Sequence, residues 1–243
     1  GYISYTYEDP LKNDTAKKKL KKKIKKVSSK NGYPLVIRNL NTGEEDTIPY
    51  VTNYVFAKEA KILSYVTTGI EDSINPGVYV INLKKLDSKH IFHSHDKTKY
   101  FKLTLSDSGD NLAFIIDADT SKSYHRDNEL YIWNKTLDNA SIIANTKISP
   151  EGYRVSSDGM VMFSEDESKL YFGLALPEIY QDSLLLDEEI VNVEVWSYNE
   201  PRLYTVQEMQ LKNDKKKSFQ TVFHLKDKKL VQIANKDVRF GWF

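Results

Sequence analysis

One apolar–polar–apolar signature comes round three times along the chain. "FAKEAKILSY" begins at Phe56, "LSDSGDNLAF" at Leu105 and "FSEDESKLYF" at Phe163. In each, the first apolar residue is followed seven positions on by Leu63, Leu112 or Leu170, and two further on by Tyr65, Phe114 or Phe172. Polar turn formers lie between, most plainly Ser106, Asp107, Ser108 and Gly109. The pattern predicts an antiparallel hairpin: one strand ends on the first apolar residue, and the return strand alternates Leu-x-aromatic toward a core. A third strand-like run follows each time, "GVYVINL" at Gly77, "ELYIWN" at Glu129 and "NVEVWSY" at Asn192. More polar fourth runs, "KHIFHSH" and "ASIIANT", follow the first two.

Four strands recurring every 40–50 residues or so are the mark of a β-propeller blade. A β-sandwich would not repeat an ordered four with one hairpin signature. The expected fold is therefore all-β, a β-propeller fragment of about four to five blades of four-stranded antiparallel sheet. The whole of 1–243 reads as one partial propeller, with blades at roughly 51–97, 98–145 and 146–214. Partial blades fall at 32–50, where "YPLVIRNLNTGEEDTIPY" turns at Asn41-Thr42-Gly43, and at 215–243, where "SFQTVFHLKDKKLVQIAN" gives two more strands. Such an arc leaves sheet edges open, which must be covered or paired.

The stretch "TAKKKLKKKIKKVSSKNG" breaks the strand pattern. Ala16, Leu20, Ile24 and Val27 share one helical stripe while lysines fill the other faces, so 13–31 reads as a short inserted Lys-rich amphipathic helix. Asp14 or Thr15 can cap its start and Asn31-Gly32 can stop it. Its charge reads as a solvated face rather than a nucleic-acid arm. A membrane role is disfavoured because the stripe lacks the Trp or Phe of interfacial helices.

Composition changes this picture little. Net charge is +1 over 243 residues, so the nine lysines of that stretch are a local feature and no global field points at a polyanion. Sixteen Tyr and ten Phe lean toward half-buried pleated surfaces. The absence of Cys excludes disulfides, thiolate metal sites and a cysteine nucleophile. No apolar run reaches the length of a membrane span, and no signal segment is present. The chain reads as a piece of a longer protein.

Local clusters offer weak chemistry. In "HIFHSHD", regular strand parity puts His93 and His95 on one face and His90 on the other, with only Asp96 nearby as a third ligand. A solvated outer strand is the preferred reading. "DADTSKSYHRDNE" sets Asp117, Asp119, Ser121 and Ser123 at odd positions of a calcium loop. Lys122 replaces its Gly and Asn128 its Glu, so an inter-strand loop is preferred. The sequons at Asn13, Asn134 and Asn139 decide nothing. "QEMQLKNDKKK" reads as a short polar helix or loop. No catalytic, cofactor-binding or metal-binding residue is assigned, and no cofactor is expected.

The hairpins carry a resemblance. "FSEDESKLYF" and "LSDSGDNLAF" are similar to the "FSPDGKxLAF"-type hairpin of propellers in TolB-like proteins and in the prolyl oligopeptidase family of serine peptidases. From Met160 onward the chain resembles a propeller segment of bacterial members of that family, through Val193, Val195, Trp196, Pro201, Gln207, Gln210, Val222, Leu225, Val231 and Ala234. The resemblance implies a parent with an α/β-hydrolase domain carrying a Ser-Asp-His triad, absent here because the chain has no G-x-S-x-G. It further implies a non-catalytic propeller that caps and gates that domain, partnered by it and by peptide substrate, in a periplasmic or secreted setting. Dipeptidyl peptidases of the family hold a substrate's amino terminus with paired propeller glutamates. Glu188 and Glu189 lack the aromatic context of that motif and read as a solvated acidic turn. The alternative is a TolB-like interaction propeller with no enzyme attached. Neither nucleic acid nor membrane is an expected partner, while self-association through open propeller edges is open to the chain.

Overall fold

The computed structural model describes residues 2–6, 28–69, 74–95, 97–119, 121, 126–177 and 202–238. The helical insertion expected over 13–31 therefore lies outside the described residues, apart from a turn at 28–31 closed by Gly32 N donating to Ser28 O at 2.7 Å. The "NVEVWSY" run with Trp196, and Glu188 and Glu189, also lie outside them.

All three signature hairpins form, and each closes on the same pair of residues. β3 (Glu45–Phe56) and β4 (Ile62–Thr67) pair Phe56 with Leu63. β7 (Lys99–Leu105) and β8 (Asn111–Asp117) pair Leu105 with Leu112. β12 (Met162–Phe163) and β13 (Lys169–Ala175) pair Phe163 with Leu170. One backbone hydrogen bond recurs in the three turns: Ala57 N to Ile62 O, Ser106 N to Asn111 O and Ser164 N to Lys169 O, at 2.8–3.0 Å. The residues two beyond each Leu point inward: Tyr65, Phe114 and Phe172 are buried.

The third and fourth strands complete the first two of these sheets. β5 (Gly77–Asn82) and β6 (Asp87–His93) follow β4, and β9 (Glu129–Asn134) and β10 (Ser141–Ala144) follow β8. β1 (Tyr2–Thr6) and β2 (Tyr33–Asn39) join the first sheet ahead of β3, giving the order β1-β2-β3-β4-β5-β6. In the last sheet a two-residue β11 (Arg154–Val155) pairs with the far end of β13, and β14 (Phe219–His224) and β15 (Lys229–Gln232) complete it.

Two sheet boundaries differ from those expected. The ladder runs unbroken through the division expected at residue 50, because β3 bends there rather than ending. Tyr50 takes φ 55°, and the register shifts on both sides of the bend. Residues 219–232 belong to the sheet of 154–175, since β14 pairs along β13 from Lys169–His224 to Leu174–Phe219. Between β13 and β14 the chain makes a long excursion that includes α1 (Tyr204–Lys215), a polar helix with no buried residue. Among the described residues no helix is long and apolar enough to cross a membrane.

The core is three apolar layers, the first within the bent six-stranded sheet and the other two between successive sheets. Leu35, Ile37 and Ile48 of β2 and β3 meet Leu63, Tyr65 and Ile81. Val66, Val78 and Ile91 meet Leu112, Phe114 and Trp133. Ala113, Ile115 and Leu130 meet Leu170, Phe172 and Phe223. β8 is thus buried on both faces along its whole length. Backbone contact between different sheets concentrates on β7, which touches β3 on one side and β12 on the other. A sandwich would bring all strands of two sheets into register. Here the sheets converge on their first strands and splay outward, which is the radial layout of propeller blades. The chain is an all-β propeller fragment, with one short polar helix among the described residues.

Bulges accompany the convergence. The extra residue is Thr52 in β3 and Phe101 in β7, four residues before the anchor in both. In the last sheet the same place, around Gly159, is a break between β11 and β12. Bulges bend an open edge away from further pairing, which suits strands left unpaired on one side.

Candidate functional site

Successive antiparallel strands send their connections alternately to two opposite rims. The tight turns at 57–61, 83–86, 106–110, 135–140, 164–168 and 225–228 share one rim. The strand ends at Thr67, His93, Asp117, Ala144 and Ala175, from which the other connections leave, share the other.

The turn rim is saturated with hydrogen bonds that tie blade to blade. Glu59 N donates to Asp107 O at 2.9 Å and Lys58 pairs with Asp107 at 3.0 Å, joining the first and second hairpins. Glu167, at φ 53° in the third, reaches back to the second. Its carboxylate accepts from Ser108 N at 2.7 Å, Ser108 Oγ at 2.6 Å and Asn111 Nδ2 at 3.2 Å. Burial opposes ionisation there, yet these bonds hold the Glu167 carboxyl below the usual range. Asp166 is likewise held low by the hydroxyls of Ser164 and Ser168. The recurring hairpin is therefore a clamp between blades as well as a turn, a role that sequence spacing did not reveal.

The loop rim also carries bonds between blades, such as Asn128 Nδ2 to Val155 O at 3.0 Å, but leaves buried polar atoms without a partner among the described residues. Asn128 Oδ1, Ser149 Oγ and Gln232 Nε2 are buried without a hydrogen-bond partner among the described residues, while the Ser94 and Tyr100 hydroxyls lie against each other. Asn128 and Gln232 lie at the loop-rim ends of β9 and β15, and Ser149 lies in the connection between β10 and β11. Such groups are rare in folded proteins and mark places where water or another partner is received. A shallow cleft on this rim is lined by Asp127, Thr146, Tyr153, Arg154 and Pro177. Beside it Arg126 Nη1 donates to Asp119 O at 2.6 Å and stands 3.6 Å from Asp117 and 3.7 Å from Asp119. Its own carbonyl accepts from Arg154 Nη1 at 3.3 Å. The calcium-like pattern is thus answered by a guanidinium between the two carboxylates, in an inter-strand loop. Ser123 and Lys122 lie outside the described residues.

The histidines correct one expectation. His90 and His93 do not face opposite ways: their rings touch, with centroids 3.8 Å apart. The cause is a bulge at Ile91, which pairs Val78 with Phe92 but Tyr79 with His90 and so flips side-chain parity within β6. His95 lies beyond the strand and Asp96 outside the described residues. No third His, Asp or Glu groups with the pair among the described residues. Two imidazoles sharing an ion would splay around it rather than press together. What forms instead is a cross-strand ring row, Tyr65 on Tyr79 at 5.2 Å and Tyr79 on His90 at 4.1 Å, both nearly parallel. Burial pushes the Tyr65 phenol up to about 12 and raises Tyr79 as well.

Burial, then the neighbouring His93, lowers the His90 pKa from 6.5. The neutral ring is favoured in the fold, so the unfolded chain takes up the proton first as pH falls below 6.5. Stability should therefore drop from that point until the folded pKa is passed. The urea midpoint of the wild type is expected to fall more between pH 7.5 and 5.5 than that of His90→Gln. Equal falls would show that His90 does not titrate on unfolding.

No protein-family model matches the chain, and no curated protein matches it in sequence. Its fold is similar to several solved structures at low identity. An oligogalacturonate lyase solved in complex with manganese is 13% identical, over 88% of this chain and 45% of that one, at a TM-score of 0.43. TolB from Acinetobacter baumannii is 11% identical over 84% and 38%, also at 0.43. A structure from a study of two prolyl endopeptidases is 9% identical over 86% and 26%, at 0.44. The chain spans less than half the length of each. The propeller assignment itself rests on the convergence of the sheets.

Proposed function

We propose that the chain is a non-catalytic propeller arc of a prolyl oligopeptidase-like serine peptidase, capping an α/β-hydrolase domain and gating peptide access to it, in the periplasm or outside the cell. The contrast between the two rims carries this reading. One rim is closed by its own hydrogen bonds, while the long connections leave from the other, which holds the cleft and the unpaired buried polar atoms. The loop rim is then the face turned toward the hydrolase domain or the peptide. A cap of this kind acts by excluding large substrates and positioning small ones, with no bond chemistry of its own.

The purified chain is expected to release no product from peptidyl or acyl p-nitrophenyl substrates and to take up no fluorophosphonate label. Turnover abolished by that label would overturn the proposal. A TolB-like interaction propeller is told apart by the coding sequence. A following domain with G-x-S-x-G, then Asp and His, supports the peptidase reading, and its absence supports the other.

A further inference from the structure

The second and third hairpins meet on a residue held in an uncommon backbone conformation. Counted from the anchor, Glu167 takes the same place in its hairpin as Gly109 takes in the second. Both are left-handed, Gly109 at φ 77° and Glu167 at φ 53°. Glycine adopts that conformation freely, whereas a side chain there carries strain of the kind that collects at clamps and switches. Gly109 lies so close to the first hairpin that a Cβ would fall 2.9 Å from Ile62 Cδ1 and 3.3 Å from Ala57 Cβ. In the second hairpin the places of Ala57 and Ile62 are taken by Ser106 and Asn111. The apolar fit of the first seam is thus a polar socket in the second, and the Glu167 carboxylate fills it.

Acid acts on the two seams differently. The first is held at the turn rim by a backbone bond, Glu59 N to Asp107 O, and by the packing at Gly109, neither of which titrates; the Lys58–Asp107 pair adds to them. Across the second seam at this rim, the hydrogen bonds among the described residues all end on the Glu167 carboxylate, from Ser108 N, Ser108 Oγ and Asn111 Nδ2. A protonated carboxyl is neutral and commits one oxygen to its own O–H, so these charge-assisted bonds weaken together. The donors that touch Glu167 are uncharged. The titratable groups on the adjoining turns are engaged elsewhere: Asp107 with Lys58, Asp110 with Lys135, and Asp166 with Ser164 and Ser168. Lys169 acts on Asp166, and Glu165 is exposed. Burial and the hydrogen bonds together leave the Glu167 carboxyl below the ordinary 4.5. Its contribution to the seam is therefore complete above pH 4.5 and is lost as pH falls through the folded value.

We infer that Glu167 is an acid-released latch between the second and third blades. On release the two blades part at the turn rim and pivot on bonds that carry no titrating group. These are Thr104 Oγ1 to Val161 O at 2.9 Å on the first strands and Asn128 Nδ2 to Val155 O at 3.0 Å on the loop rim. The latch does not depend on what the propeller caps, and it goes beyond the capping role proposed above.

The test titrates the 243-residue chain between about pH 7 and about pH 3. By NMR, the Glu167 carboxyl carbon and the Ser108 amide proton should titrate together, with one midpoint below 4.5. Across it the Ser108 amide should lose about tenfold or more of its exchange protection, corrected for the intrinsic rate. The chain has no Cys, so spin labels can be placed by substitution. The distance between labels on Asn139→Cys and Asp227→Cys, across the second seam, should lengthen below that midpoint. Labels on Lys84→Cys and Asn139→Cys, across the first, should hold theirs. Glu167→Gly removes the carboxylate and relieves the left-handed backbone, so it should show the longer second-seam distance at every pH. Asp166→Asn should keep the wild-type profile. A second seam that stays closed through the Glu167 titration, or both distances lengthening together as in global unfolding, would overturn the inference. So would a closed seam in Glu167→Gly at neutral pH, and where a variant does not fold the wild-type titration decides alone.

Discussion

Phe114→Ala is expected to remove about 3–5 kcal/mol of stability, one of the two largest losses any single substitution should cause here. Phe114 is fully buried and in the middle of β8, the strand covered on both faces. Its ring stacks on Tyr131 at 5.5 Å and meets Phe92 at 5.2 Å and Tyr100 at 6.4 Å. Phe92 comes from β6 and the others from the second sheet, so the ring helps weld two blades together. Truncation leaves a cavity at that seam, and well-packed surroundings close it only in part. In a chain of stacked blades the damage should be local first. Amides of β5, β6 and β8 should therefore lose exchange protection, while those of β13 and β14 keep most of theirs. A loss under about 1 kcal/mol, or uniform loosening of all sheets, would contradict this account. A cycle with Phe92→Leu should show coupling of about 0.5–1.5 kcal/mol if the ring contact adds to burial.

Sequence spacing reveals the hairpins because their physics is local. Seven residues from anchor to Leu is the length of a turn plus its closing pair, and the Leu-x-aromatic alternation follows from pleating. It also reveals the strands from Tyr33 to the bend at Tyr50, while "QEMQLKNDKKK", readable as a short polar helix or a loop, falls largely within the helix at Tyr204–Lys215. What it misses depends on partners far along the chain or on one inserted residue. The bulge at Ile91 reverses which histidines meet, and the flanking residues carry no glycine or proline that would announce it. Glu167 looks like an ordinary turn residue, and only the fold brings it to Ser108, 59 positions away. Strand membership fails for a similar reason. Phe219–His224 joins β13 across a long excursion, and nothing near either segment encodes that pairing. On the loop rim, Asn128 and Ser149 are common polar residues whose unpaired oxygens are visible only once the sheets are in place.

Gly77→Ala should match Phe114→Ala in severity by a different route, through the backbone instead of the core. Gly77 opens β5 at φ 151°, a conformation that L side chains rarely adopt. A Cβ built there would fall 1.9 Å from Phe92 O and 2.4 Å from His90 Nε2. Phe92 O is backbone of the paired strand and cannot swing aside, so β6 must move away and the pairs Gly77–His93 and Val78–Phe92 must open. His90 would then leave Tyr79, and the ring row would lose its outer member. The cost combines about 1–3 kcal/mol of backbone strain with lost ladder and ring contacts, for a total of about 3–5 kcal/mol. Gly43→Ala is the control. Gly43 also has positive φ, 76°, but a Cβ there meets nothing within 4 Å, so strain alone applies. Denaturation midpoints should place Gly43→Ala close to wild type and Gly77→Ala far below it. Similar midpoints for the two would mean that β6 yields without cost, and that the close approach at Gly77 contributes nothing to holding the outer strand of this blade.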